Sequence, residues 1–332
     1  MIFLWFGFIA LVLLVLALDL GVFNKKAHVV MAREALLFVA LTVVLASLFT
    51  AFVYLGYNAH WLGLGAGIDR VDNVINDGRL AALKFATGYL IELSLSMDNV
   101  FVIALIFEHL KIPGRQQHRV LFWGILGALL MRGGMIGIGA SLVARYHWVL
   151  YVFGAFLLYT AVRMLLHQQD ESAPEESTIV TLLGKLFPVT DVLHEHHFMV
   201  TENGRRMLTR LAVTLVLIEF TDLLFAVDSI PAIFAITTDP FLVFTSNVFA
   251  IMALRSLYFV LAGAMRHFKY LKVSLAIILG LVGAKMLAAQ WILHVVGERA
   301  NLYLLGMILL LLGGGMIASR GADNEEVAVG ER

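Results

Sequence analysis

Apolar runs of about 20 residues, long enough to cross a hydrocarbon layer as helices, recur along all 332 positions. In such a layer the backbone can satisfy its own polar groups only as a helix or a closed barrel. Nine runs qualify as helices: 2–23, 35–57, 79–107, 119–143, 147–166, 208–236, 242–264, 272–293 and 299–318. Hydrophobic residues make up 61% of the chain and charged ones 14%, so the expected fold is all-α, a polytopic membrane helix bundle of about nine transmembrane helices. The first run lacks a basic start and a small-residue cleavage pattern, and Asp19 interrupts its far end. It is expected to stay as a helix rather than be removed as a signal peptide.

Basic residues orient the bundle. Lys25, Lys26 and Arg33 follow the first run, Lys111, Arg115 and Arg119 the third, and Arg266, Lys269 and Lys272 the seventh; Arg205, Arg206 and Arg210 precede the sixth. Loops rich in Lys and Arg stay on the cytoplasmic side. The opposite connections are short or acidic, with Asp69, Asp72 and Asp77 in one and Asp239 in another. The N-terminus is therefore expected outside and the C-terminus in the cytoplasm.

Two of the runs carry the same acidic signature: Glu92 and Asp98 followed by Asn99, then Asp222 and Asp228 followed by Ser229. An ionised acid at the centre of a membrane helix costs roughly 2.5–3.5 kcal/mol on insertion scales, which points to use rather than accident. Six residues turn a helix by about 600°, leaving the two acids of each pair about 120° apart, whereas Asn99 lies within about 20° of Glu92. Convergence of both acids needs a bent or unwound turn, or partners approaching from two sides. Pro231 lacks an N–H, which frees the Val227 carbonyl beside Asp228. That oxygen, the carboxylates and the side chains of Ser96, Asn99, Thr221 and Ser229 form an oxygen-rich set suited to Mg²⁺, Ca²⁺ or Mn²⁺. Glu219, three residues before Asp222 and on nearly the same face, adds a further possible acid. The competing explanation is structural pairing of the acids with Arg132, Arg163, Arg255 and Lys285. Arg163 and Lys285 lie near run ends, where reaching for headgroups explains them. Arg132 and Arg255 lie deeper and suit counter-ions that hold an empty site together.

The chain also repeats itself. When Glu92–Asn99 is set against Asp222–Ser229 with a gap of seven residues in the first connection, Gly124, Gly127 and Arg132 meet Asn247, Ala250 and Arg255, and in the third helices Arg163, Met164 and Leu165 meet Lys285, Met286 and Leu287. The expected organisation is two N-terminal helices over 1–78, a three-helix repeat over 79–166, a cytoplasmic loop over 167–207, a second repeat over 208–293, and a last helix with a cytoplasmic tail over 294–332. Three helices per unit make the repeats inverted, an architecture that recurs in secondary transporters with a polar site at the midplane.

The runs Gly88–Glu92 and Asp98–Phe101, and the longer run Phe225–Ala235 continuing through Thr238–Phe241 to Thr245–Asn247, resemble the TerC family of integral membrane proteins, most closely its Alx-type branch. The resemblance extends from about Asp19 to the last helices. It implies a bacterial inner-membrane protein linked to manganese export and named for tellurium resistance. Carried over by position, the family's acids fall on Glu92, Asp98, Asp222 and Asp228, with Asn99 and Ser229 beside them. It also matches an acid at Asp19, although an interfacial carboxylate needs no functional explanation.

Other readings are weaker. His194, Glu195, His196 and His197 could form a metal-sensing cluster, but a solvated loop explains them as well. The polar tail from Gly321 to Arg332 is expected to be disordered. An intramembrane aspartyl protease needs a glycine two residues before one catalytic Asp; Ser96 and Ala226 stand there, so no enzyme is expected. The chain has no cysteine, which excludes disulfides and thiolate metal sites. It also has no phosphate-binding loop, so ATP-driven pumping by this chain alone is unsupported. No resident cofactor and no nucleic acid are expected; the partners are the lipid bilayer, a divalent metal ion and protons. The reading that follows is a secondary exporter of a divalent cation, Mn²⁺ first, with a non-transporting scaffold in a tellurite or envelope-stress response as the alternative.

Overall fold

The computed structural model describes residues 2–18, 32–166, 190, 197–202, 205–261 and 271–330. Helices α1 (Ile2–Leu18) and α2 (Ala32–Asn58) precede a loop that carries the hairpin β1 (Ile68–Asp69) and β2 (Val74–Ile75). Three long helices follow, α3 (Gly78–His109), α4 (Gly114–Arg145) and α5 (Val149–Leu166). A second antiparallel hairpin, β3 (Met199–Glu202) and β4 (Arg205–Leu208), leads into α6 (Arg210–Phe234), α7 (Pro240–Leu261) and α8 (Leu271–Leu287). The short α9 (Ala289–Val296) and the long α10 (Ala300–Gly330) complete the described chain.

Local chemistry sets several of these ends. Asp77 caps α3 by accepting from the Leu80 N–H at 2.7 Å, and the Thr209 hydroxyl caps α6 by accepting from the Ala212 N–H at 3.4 Å. Three details depart from the sequence reading. The eighth expected span divides between α8 and α9, the 167–207 loop ends in the β3–β4 hairpin, and α10 stays helical through Gly330 instead of losing order after Gly321. Ala322, Glu325, Glu326 and Ala328 are good helix formers, which explains the last of these.

Among the described residues, five helices are long and apolar enough to cross a membrane: Leu36–Asn58, Gly78–His109, Gly114–Arg145, Val149–Leu166 and Pro240–Val260. Shorter apolar helices run over Ile2–Ala17, Val273–Leu287 and Ala300–Gly315. Helix α6, at 25 residues, has the length as well but carries Glu219, Asp222 and Asp228. Polarity runs opposite to that of a water-soluble protein. Leu37, Leu48, Leu130, Ile138 and Leu310 face outward, while Glu92, Ser96, Asn99, Arg132 and Ser229 are buried.

Each helix of the α3–α5 triplet packs on the α6–α8 triplet: α3 against α6 and α7, α4 against α6 and α7, and α5 against α8. The α5–α8 contact is close because two glycines meet in it; a Cβ on Gly283 would fall 2.9 Å from the Gly154 carbonyl oxygen. Helix α2 lies beside α3 and α7, and α10 lies against α8 and α3. The faces of α3, α4 and α6 that carry the predicted site residues are thereby turned toward one another.

Candidate cation site

Glu92 lies about 21 Å along α3 from Gly78 at 1.5 Å per residue, near the middle of this 32-residue helix. There it meets Arg132 of α4, which is 1% exposed. The guanidinium grips Asp222 of α6 with two parallel bonds, Nε to Oδ2 at 3.0 Å and Nη2 to Oδ1 at 2.8 Å. Its remaining arm, Nη1, donates to Glu92 Oε1 and lies 3.2 Å from Ser229 Oγ. A planar fork laid on a carboxylate is the arrangement for which arginine is better suited than lysine.

The centre is not fully satisfied. Glu92 is wholly buried, yet its Oε2 has no hydrogen-bond partner; the same holds for Ser96 Oγ, one turn further along α3 and equally buried. Leaving a buried polar atom unpaired costs about 1–3 kcal/mol, and more for a charged group, so these two oxygens are free to accept or ligate a further group.

The acids that were expected to act together are divided. Helix α6 runs unbroken across Pro231 to Phe234, so the angular separation of Asp222 and Asp228 persists. Asp222 meets Arg132 of α4, whereas Asp228 Oδ1 accepts from the Thr160 hydroxyl of α5 at 3.2 Å. The two aspartates do not converge, and each meets a different helix of the α3–α5 triplet. The proline lies close enough to the helix end to remove one hydrogen bond without stopping the helix. Glu219 points at α4, where Gly127 makes room for it; a Cβ there would overlap the Glu219 carboxylate. Glu219 Oε2 is buried and also unpartnered. Asn99 is buried on α3. The side chains of Asp98 and Arg255 lie outside the described residues, as do Asp19 and His194–His196, while His197 is exposed. Among the described residues no three His, Asp or Glu side chains form a ready metal cage.

A second polar cluster, absent from the sequence reading as a unit, closes the end of the bundle that carries the β1–β2 loop. Lys84 of α3 is fully buried, with its ammonium 2.8 Å from Asp69 Oδ2, 2.7 Å from Asp72 Oδ2 and 2.7 Å from Asn76 Oδ1. Asp69 also accepts from the Thr237 hydroxyl at 2.5 Å and from the Thr238 N–H and hydroxyl at 3.0 and 2.9 Å, which ties the loop to the turn between α6 and α7. Burial pushes the Asp69 carboxyl up, but Lys84 and these donors outweigh it and hold the group below its ordinary value. Nearby, the Tyr57 hydroxyl donates to Asp239 Oδ2 at 2.8 Å; burial dominates at Asp239 and raises its carboxyl. Lys285 does not reach for headgroups. It donates to the Ala235 carbonyl at 3.2 Å and to Asn301 Oδ1 at 2.7 Å, because the end of α6 leaves carbonyls without partners and α10 supplies an amide oxygen.

A multi-pass membrane helix bundle around a buried, acid-lined centre is the class these features define. The chain belongs to the TerC family of integral membrane proteins, whose model matches residues 78–326. It is 48% identical over 316 residues to the uncharacterized membrane protein STKORF319 of Myxococcus xanthus, covering 95% of this chain and 91% of that one. It is 44% identical over 293 residues to a protein of Escherichia coli (strain K12) provisionally named the membrane-bound redox modulator Alx, covering 87% of this chain and 86% of that one. No solved structure matches.

Proposed function

We propose that this chain is a secondary exporter of a divalent cation, with Mn²⁺ the first candidate, working by proton antiport and by alternating access of the α3–α5 and α6–α8 triplets as inverted repeats. The observation that carries the reading is the centre: two carboxylates from different triplets, the buried Glu92 and the partly buried Asp222, already hold a cation, the Arg132 guanidinium, while Glu92 Oε2 remains unpartnered. A place that holds one cation among oxygens at the midplane is chemically fit to hold another. Its donors are carboxylate and hydroxyl oxygens, which suit Mn²⁺, Mg²⁺ and Ca²⁺; a chain without cysteine has no thiolate for softer ions. Exchange of a metal for protons is chemistry open to buried carboxylates. Asp228, and Asp98 by its place in the repeat, would serve the same ion at a different stage of the passage.

In this reading the loop bearing β1 and β2 faces outside and the C-terminus faces the cytoplasm of a bacterial inner membrane. The chain is a carrier and not an enzyme. The provisional name of the Escherichia coli relative invokes redox modulation. With no thiol of its own, this chain would influence redox state through the ion it moves. The test is Mn²⁺ flux in proteoliposomes with and without a pH gradient. Uptake or release that follows the imposed gradient and disappears in Glu92→Gln supports the reading. A reconstituted, correctly folded protein that moves no divalent cation leaves the scaffold alternative.

A further inference from the structure

We propose that Arg132 is a tethered stand-in for the transported ion: guanidinium and metal exclude one another, so arrival of the ion unclasps Arg132 and its return expels the ion. The proposal rests on the transport reading and adds a residue to it. Both oxygens of Asp222, one of Glu92 and the Ser229 hydroxyl are engaged by a single side chain. A divalent ion bridging Glu92 and Asp222 needs those same oxygens at about 2.0–2.6 Å, inside the space the guanidinium occupies. Arginine remains charged under all conditions the protein meets, so it cannot yield by losing a proton and has to move.

The structure offers it a second seat. Glu219 lies one turn before Asp222 on α6, beside α4, with a buried oxygen that has no partner. The step from Asp222 is about 4.5 Å along the helix axis, within reach of an arginine side chain. Arg132 would then be a two-position element, on Asp222 and Glu92 when the ion is absent and on Glu219 when it is present. The purpose is release. A site of bare buried carboxylates would bind a divalent cation too well to let it go, and a built-in competitor sets the affinity low enough for turnover.

The experiment is equilibrium Mn²⁺ binding to purified protein, read from the electron paramagnetic resonance signal of the free ion, alongside flux. R132Q should bind Mn²⁺ at least tenfold tighter than the parent and yet export it more slowly. R132K keeps the charge but cannot grip Asp222 with a fork, so it should bind several-fold tighter than the parent; it carries the test alone should R132Q fail to fold. E219Q should weaken binding in the parent background and leave R132Q unchanged. Equal or weaker binding by R132Q or R132K overturns the stand-in, and equal loss from E219Q in both backgrounds overturns the second seat. Neither result touches the transport reading so long as the parent binds Mn²⁺ and E92Q does not; that reading, and this one with it, falls if the parent binds no divalent cation.

Discussion

The Arg132 guanidinium lies edge-on along the carboxylate of Asp222, Nε 3.0 Å from one oxygen and Nη2 2.8 Å from the other, joining α4 to α6 across the centre of the bundle. Asp228, six residues on, has a neutral hydroxyl for company. The two aspartates of one helix therefore differ in what they hold up.

That difference predicts a split between stability and function. Asp222→Asn withdraws an anion from a buried arginine and should destabilise by about 3 kcal/mol, the low end of what breaking a buried pair costs, since the amide still accepts a hydrogen bond. Asp228→Asn should cost less, about 1 kcal/mol, because what changes is one hydrogen bond to Thr160 and a longer-range attraction to Arg163. Both should abolish ion efflux. Unfolding in detergent alongside vesicle flux measures this, and equal destabilisation would show that the acids are not divided as described.

Gly127 sets the place of Glu219. Gly127→Ala should destabilise by about 1–2 kcal/mol, since the new methyl displaces a partly buried carboxylate. In an E219A background the same change should stabilise by up to about 1 kcal/mol, the helix propensity of alanine over glycine, because nothing remains to displace. A double-mutant cycle reads the reversal of sign; two additive effects would place Glu219 elsewhere.

Lys84→Met takes the ammonium from the buried Asp69 and the partly buried Asp72 and should cost about 3–5 kcal/mol, concentrated at the loop end. The absence of native cysteine allows a direct reading. A single cysteine at Ser246, buried in α7 against Gly88, should resist a membrane-impermeant thiol reagent in the parent and react in K84M. Continued protection in a folded K84M would mean that Lys84 does not close this end.

The pH dependence of the same cluster has a definite sign. Asp69 is held below its ordinary value of 3.8, so its contribution is present above that value and lost as pH falls through the lower folded-state value. Acid should loosen the loop. With the remaining tryptophans replaced by Phe, quenching of Trp61 fluorescence should rise as pH drops below about 4. D69N should flatten the profile, and a rise on the alkaline side would contradict the assignment.

How far the sequence discloses this arrangement depends on the distance over which each signal acts. Glu92, Asp222 and the helices that carry them are visible because a charge inside an apolar run is a local anomaly. Arg132 is visible as a deep basic residue, but its choice of Asp222 and Glu92 over Asp228 depends on how α4 lies against α3 and α6, which no spacing along one helix encodes. Asp69 was legible only as an outer-loop acid. Its partners Lys84 and Thr237 stand 15 and 168 positions away, and a buried loop carboxylate has the same sequence signature as a solvated one. Lys285 misleads for a related reason: position near a span end suggests snorkelling, and only the packing of α10 brings Asn301 to it.

Asp69 accepts hydrogen bonds from the loop, from α3 and from the turn joining α6 to α7, and so belongs to both triplets at once. If the triplets rock apart at this end, Asp69 has to give up either its ion pair with Lys84 or its hydrogen bonds to Thr237 and Thr238 before any new contact forms. Under the proposed transport, the height of that barrier, and not the affinity of the central acids, would govern how many ions pass each second. Turnover would climb steeply with temperature, and substitutions in the loop would change its speed while leaving half-saturation where it was.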